Sequence, residues 1–288
     1  MALPSKLTLN RPNMVENRGE TWRPPVFRPL TSVKDQLVAR VRRFLDLQAG
    51  SIWTDLSRLL PHCQGQVLDV GSGAQPYRPL LHPNAQYHAV DSSRSEQDFG
   101  YAMPETTYYT GDTWPVPDSS VDVVLCTETL EHVPDPGTFL AQAARCVRPG
   151  RHLLLTVPFA ARWHYIPYDY WRYTPSGLDR LLNQAGFTQV AVYARGNAAT
   201  VACYKLMALF LPLLFSRSPR AWVRRLSMGG GLLAMPLVMA LAFLGQISLR
   251  LPGGDDCLGY TVVATRRLGA GLIGNTADHN QPQHSSQL

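Results

Sequence analysis

The sequence predicts an α/β protein built on a doubly wound, mostly parallel seven-stranded sheet, with an apolar helical insert between strands six and seven. Three observations carry that expectation. Short apolar, β-branched runs alternate with segments of helical periodicity, the pattern of parallel strands joined by crossover helices. The fourth run, Val121-Asp122-Val123-Val124-Leu125-Cys126, is apolar almost throughout, as a strand covered on both faces must be. A glycine turn, Gly71-Ser72-Gly73, follows the first run, and an acid, Asp91, closes the second. Ligands of doubly wound sheets gather at such strand ends.

In order along the chain, residues 1–30 hold five prolines and no periodicity, and read as a basic, extended arm. Ser32 starts a helix whose Val33, Leu37, Val41 and Leu45 recur every four residues as one apolar stripe. Ser32 and Asp35 stand at capping-box spacing. A second short helix over 52–60 ends at Pro61. Strands follow at 66–70, 87–90, 107–110, 121–126, 152–157, 189–194 and 260–265. A brief helix is expected at 77–81 and a longer one at 138–147, with a turn at Arg148-Pro149-Gly150-Arg151 before the fifth strand. Thr174 caps a helix with Pro175 at its first position, and Gly186 ends it. Residues 31–195 with 255–267 form one domain, 196–254 the insert, and 268–288 a loose polar tail.

Charge is unevenly spread. Residues 1–43 carry nine basic and three acidic groups, and residues 195–250 carry seven basic groups and no acid, against a net charge of +6 for the whole chain. The body between them is acidic on balance, which disfavours nucleic acid as a partner, because phosphate must be neutralised near the site. An anionic membrane surface suits the basic regions better. Five scattered cysteines exclude a disulfide scaffold and a compact zinc site; no bound metal is expected, and a reducing cytoplasm fits. The first ten residues lack the apolar core of a secretory signal.

Within the insert, residues 226–249 contain no charge and are flanked by arginines, and 196–216 are apolar except for Lys205. Such a stretch is long enough to cross a bilayer at ~20 residues per helix. Strands six and seven share a sheet, however, so the chain must leave and return on one side. A two-span hairpin would then carry Arg217, Arg220, Arg224 and Arg225 across the membrane, against the positive-inside tendency. The expectation is a membrane-surface or re-entrant hairpin, peripheral on the inner face of the cytoplasmic membrane. A lipid-free cover or dimer face and a true two-span insertion are the alternatives.

The glycines at 71 and 73 let backbone approach a ligand closely, and Asp91 can take two hydrogen bonds from a ribose diol. The nicotinamide fingerprint fits poorly, since Pro76 stands at its third glycine and removes an amide from a phosphate cradle. A sulfonium cofactor needs no such cradle, and Asp69 with Glu128 or Glu131 supplies negative surroundings for its positive groups.

The motifs VLDVGSG, AVDSS, GDTWPVPDSSVDVVLCTETLEHVPDPGTFL and CVRPGRHLLLTVP stand in order over residues 64–195. Together they resemble the class I S-adenosylmethionine-dependent methyltransferases, with a Rossmann-like sheet, and most nearly the bacterial type 11 branch. Tyr260–Thr265 resembles that family's last strand. The resemblance implies that Asp69, Gly71 and Gly73, with Ser72 between them, line the methionine and ribose parts of S-adenosylmethionine. It implies that Asp91, followed by Ser92, binds the ribose hydroxyls, that Asp112 with Thr113 faces the adenine, and that Thr127 and Glu128 border the cofactor. Gln75 departs from the family's usual third glycine.

A second stretch, VPFAARWHYIPYDYWRYTPSGLDRLLNQAGF, resembles members encoded with cell-surface polysaccharide genes. It places His164, Asp169, Tyr168, Tyr170 and Arg172 beyond a strand end, where an acceptor sits. His164 and His132 are the candidate bases, Asp169 can orient one of them, and Tyr168, Tyr170 and Arg172 are candidate substrate contacts. The expected activity is methyl transfer to a small or lipid-linked acceptor, such as a sugar hydroxyl of a surface glycan. Methylation of a quinone-like molecule or RNA, and a non-catalytic cofactor-binding scaffold, are the alternatives.

Overall fold

The structure, a computed structural model, describes residues 32–95, 102–214 and 219–268; the expected arm at 1–30 and all but the first residue of the expected tail at 268–288 lie outside them. Two helices open the described chain. In α1 (Val33–Leu45) the Ser32 hydroxyl accepts from the Asp35 amide and the Asp35 carboxylate accepts from the Ser32 amide, so the capping box forms as its spacing predicts. Helix α2 (Leu47–Leu59) begins five residues before the expected start at 52. Asp46 caps it by accepting from the Ala49 amide, a signal the apolar periodicity did not include.

The sheet comprises β1 (Gly65–Val70), β2 (Ala85–Ser92), β3 (Thr106–Tyr109), β4 (Val121–Thr127), β5 (Val147–Pro158), β6 (Phe187–Arg195) and β7 (Gly259–Arg266). Their spatial order is β3-β2-β1-β4-β5-β7-β6, and only β7 runs antiparallel to its neighbours. The seven expected strands are all present. The turn expected at 148–151 is instead absorbed into β5, where Val147 pairs with Val121 and the register then shifts; Gly150, at φ +77°, takes up the irregularity.

Alternation along the central strands divides the core in two. Val67, Val123, Leu125 and Leu154 face Ile52 and Leu56 of α2. Leu68, Val124, Leu153 and Leu155 face α3 (Pro136–Cys146) and α4 (Pro175–Gln184), through residues such as Leu140, Leu178 and Leu182. Burying each such side chain contributes roughly 1.5–3 kcal/mol, which explains why these strands read as unbroken apolar runs.

The insert forms an antiparallel helical hairpin of α5 (Ala198–Leu214) and α6 (Ala221–Ser248). Thr200 and Ser248 share a hydroxyl hydrogen bond of 2.8 Å at one end, and the Ser227 hydroxyl donates to the Leu213 carbonyl toward the other. The hairpin docks on the α1–α2 junction. Gly245 lies where a Cβ would come within 2.5 Å of Leu47, and the Gln246 amide donates to the Arg43 and Phe44 carbonyls. By length and composition α6 could cross a membrane, with 28% of its most apolar window buried inside the protein. Its Leu233 is 85% exposed and, on α1, Val33 is 83% exposed, so the stripe on α1 meets the interior only at its last member, Leu45.

Gly245→Val should force α6 away from Leu47 and cost about 2 kcal/mol by overpacking. Urea unfolding checks this as a lower midpoint at unchanged slope; an unmoved midpoint would mean that α6 does not seat there.

Candidate active site

Strand order reverses between β1 and β4, and the crevice at their carboxyl ends opens into a cavity of about 840 Å³. The turn after β1 forms one wall. At Gly71, φ +69°, a Cβ would lie 2.4 Å from the Thr129 side chain beyond β4, so only glycine lets the turn pass. The Gly73 amide donates to Asp91 Oδ2 at 2.9 Å and the Ser92 amide donates to Oδ1 at 2.8 Å, fixing the Asp91 carboxylate against the turn. Burial raises the Asp91 pKa, and these two amides pull it back. Asp69 lies buried at the base of the same turn. Its Oδ2 accepts from the Tyr87 hydroxyl at 2.6 Å, whereas its Oδ1 has no partner. Burial pushes the Asp69 pKa up to about 7; the Tyr87 hydrogen bond opposes that rise and the Asp91 charge adds to it. Gln75, at the position of the missing third glycine, itself takes φ +54° and is held by a hydrogen bond to Thr106 Oγ1.

The next wall comes from β3 and β4. Asp112, with Tyr109, Gly111 and Trp114, lines the cavity beyond β3, but Thr113 is exposed and stands off its wall. Thr127 and Glu128 line it at the end of β4. Glu128 sits at φ +48°, its amide donates to the Thr156 carbonyl, and its Oε1 accepts from Arg195 Nη2 at 2.8 Å. Arg195 is itself buried and donates to the Val157 carbonyl and to Ser51 Oγ. The sequence reading omitted Arg195. The signal that could have found it is a lone cation closing the half-apolar strand FTQVAVYAR.

His132, His164, Tyr165, Tyr168 and Tyr170 line another part of the cavity. The two imidazoles meet edge to face with centroids 5.0 Å apart. His132 Nδ1 is 2.9 Å from the Tyr168 carbonyl, and burial lowers its pKa to about 4 despite that bond, with the His164 charge adding to the fall. Burial also pulls His164 down, but the Asp169 hydrogen bond and charge outweigh it and leave its pKa raised.

Two of the residues expected at the acceptor end do not line the cavity, and for Arg172 this corrects an expected substrate contact. Asp169 is not on the cavity wall: it is buried behind His164, accepting from the His164 amide and lying 3.0 Å from its Nδ1. Arg172 does not reach the cavity either. Its two terminal nitrogens clasp Asp169 at 2.6 and 2.7 Å, because residues three apart on this turn bring the pair together. Burial raises the Asp169 pKa, but Arg172 and then His164 hold it well below the usual carboxylate range. Both residues therefore contact His164 and not the cavity. Arg42 and Asp46 from the α1–α2 junction, Tyr204 from α5, and Arg162 complete the wall; none was anticipated from the sequence.

A family model described as methyltransferase domain matches residues 35–192, more than half of the chain. A 37-residue stretch is 54% identical to the ubiquinone biosynthesis O-methyltransferase of Cupriavidus pinatubonensis, covering 13% of this chain and 15% of that protein. Over 132 residues the chain is 36% identical to an uncharacterized 37.1 kDa protein in transposon TN4556 of Streptomyces fradiae, covering 44% and 34%. The chain thus spans about a third or less of the length of these curated relatives. Among solved structures, phosphoethanolamine N-methyltransferase 2 of Haemonchus contortus, in complex with S-adenosyl-L-methionine, aligns with a TM-score of 0.46 and 15% identity over 76% of this chain and 52% of that one.

Arg195→Met should leave the partly exposed Glu128 without its partner and take a donor from the Val157 carbonyl and the Ser51 hydroxyl, at a cost of about 2 kcal/mol. Denaturant unfolding measures it; a loss below ~1 kcal/mol would mean that the pair is no more than a solvated contact.

Proposed function

The chain belongs to the methyltransferase domain family, and on that premise we propose that it transfers a methyl group from S-adenosylmethionine to a hydroxyl of a small or lipid-linked acceptor, foremost a sugar hydroxyl of a cell-surface glycan. The observation that carries the donor half is the pair of carboxylates around the glycine turn. Asp69 keeps one buried oxygen without a partner, a group that calls for a cationic donor such as an ammonium. Asp91, pinned by Gly73, keeps acceptor capacity for a diol. Pro76 and the glycine turn offer no phosphate cradle, which fits a donor without phosphate.

When bound, S-adenosylmethionine supplies a methyl carbon already activated by a positive sulfur. The protein's share is to hold, orient and exclude water. Asp112 borders the base, Glu128 braced by Arg195 keeps the end of β4 in place, and Trp114 and Phe139 cover the crevice with apolar rings. His132 and His164 polarise the acceptor hydroxyl, Asp169 positions His164, and Tyr168 and Tyr170 flank the acceptor. A second reading, a lipophilic quinone-like acceptor, is favoured by the short match to a ubiquinone O-methyltransferase and by the apolar hairpin next to the cavity.

The exposed apolar side chains of α6 and α1, with Arg224 and Arg225 exposed near the start of α6, support peripheral attachment to an anionic membrane at its cytoplasmic face. On that reading the protein floats with anionic vesicles and is released by high salt or from neutral ones; recovery wholly free of lipid at low salt would end it.

Calorimetric titration should show S-adenosylmethionine binding, weakened by about tenfold or more in Asp91→Ala, or ~1.4 kcal/mol. Affinity should also fall about tenfold per pH unit once pH drops below about 7, because protonated Asp69 no longer attracts a cation. No binding at any pH would overturn the donor assignment, and binding without methyl transfer to any acceptor would leave the scaffold reading. Labelled-methyl transfer into a lipid extract then separates glycan from quinone acceptors, and label in RNA would sink both.

A further inference from the structure

Glu131 stands behind the cavity wall, next to His132, and does not itself line the cavity. It has no solvent exposure, and neither carboxylate oxygen meets a hydrogen-bond donor of another residue. A buried carboxylate left so costs several kcal/mol unless it takes up a proton, toward which burial pushes Glu131, or a cation joins it. Arg172, whose charge is felt at Glu131, spends its guanidinium on Asp169 and on the Arg162 and Trp171 carbonyls. His132 Nε2 approaches Glu131 Oε1 at 3.6 Å, too long for a hydrogen bond. The separation is close to the ~3.4 Å between neighbouring ligand atoms around a tetrahedral ion with bonds of ~2.1 Å. His164 supplies a third ligand atom, and all three lie within 4.8 Å of one another.

Both imidazoles are set up as ligands. His132 Nδ1 faces the Tyr168 carbonyl, and His164 Nδ1 faces the Arg162 carbonyl and the Asp169 carboxylate. The carbonyls and the carboxylate only accept, and at His164 they lie nearer to Nδ1 than Arg172 Nη2, a donor 3.5 Å away, so in the neutral rings each Nδ1 carries the proton and each Nε2 keeps a free lone pair. Metal-bound histidines are held in this way, the second nitrogen donating to a carbonyl or carboxylate. One carboxylate and two imidazoles is a donor set suited to zinc or a neighbouring transition metal, with a coordination position left open.

We propose that Glu131, His132 and His164 bind one divalent transition-metal ion at the cavity wall, its open position facing an oxygen of the acceptor. This deepens the reading of the acceptor end given above and rests on it only for the acceptor's identity. The scattered cysteines suggested no metal; this set contains no thiolate and draws on two segments 32 residues apart, so no compact spacing reveals it.

The test is titration of chelator-treated full-length protein with Zn²⁺ and, separately, Co²⁺. One equivalent should bind, with Co²⁺ giving weak visible bands of a nitrogen and oxygen site and no thiolate charge-transfer band. Glu131→Gln and His164→Asn should each weaken binding by about tenfold or more, and Asp169→Asn by about 10–100-fold through the lost partner of His164. Thermal unfolding controls for folding of the variants, and the wild-type Co²⁺ spectrum decides by itself if they fail to fold. No stoichiometric binding, thiolate ligation, or affinity unchanged in folded variants overturns the proposal. S-adenosylmethionine binding on the same samples keeps the readings apart: metal without donor binding indicts the donor assignment, and donor without metal binding indicts this site alone.

Discussion

The cavity depends on one buried cation. Arg195, at the end of the outermost strand, reaches the Glu128 carboxylate after β4, the Val157 carbonyl of β5 and the Ser51 hydroxyl of α2. Four elements that are far apart in sequence are thereby tied at the level where the sheet opens. The space it occupies is also kept by the fold: a Cβ at Gly259 would lie 2.3 Å from its Nη2. Burying a guanidinium is expensive unless it is paired and hydrogen-bonded, and here both terminal nitrogens are so held while Nε has no partner. With Arg195 in place, Glu128 can keep its left-handed backbone and the end of β4 stays beside the glycine turn of β1.

On that frame the sheet builds two unlike electrostatic environments. Around the glycine turn, Asp69 and Asp91 are buried, so their pKa values rise, with the Asp91 charge adding to the rise at Asp69, and a cationic, diol-bearing ligand would relieve both. Beyond β4 and β5, two imidazoles only 5.0 Å apart are pushed in opposite directions: His132, buried against a carbonyl, downward, and His164, held by Asp169, upward. The fold thus treats two similar residues differently, and the difference arises from which acceptor stands behind each ring.

The strands were legible because central parallel strands are buried on both faces and can only be apolar. The glycine turn was legible because Thr129 leaves no room for a Cβ at 71. The capping box of α1 was legible because it is local. What escaped reading was long-range. Tyr87 meets Asp69 only because β1 and β2 run in register, and Arg195 finds Glu128 across two intervening strands. Arg172 misled for the opposite reason: it sits in an aromatic segment that does line the cavity, yet a carboxylate three residues away captures it first. The turn at 148–151 was misread because proline and glycine signal a break, and here a strand irregularity accommodates both.

The hairpin insert bears on function through its seat. Tyr204 of α5 lines the cavity together with Arg42 and Asp46 from the junction that receives α6. Part of the wall is therefore supplied by elements outside the seven strands. Function on a shared fold lives in the site grafted on it, and such additions are one place where a wall can differ while the strands stay the same. The same hairpin carries the exposed apolar rows. A displacement of α6 would therefore reach the cavity through Tyr204 on one side and through Arg42 and Asp46 on the other, and that junction stands beside Tyr77 of the loop that follows the glycine turn.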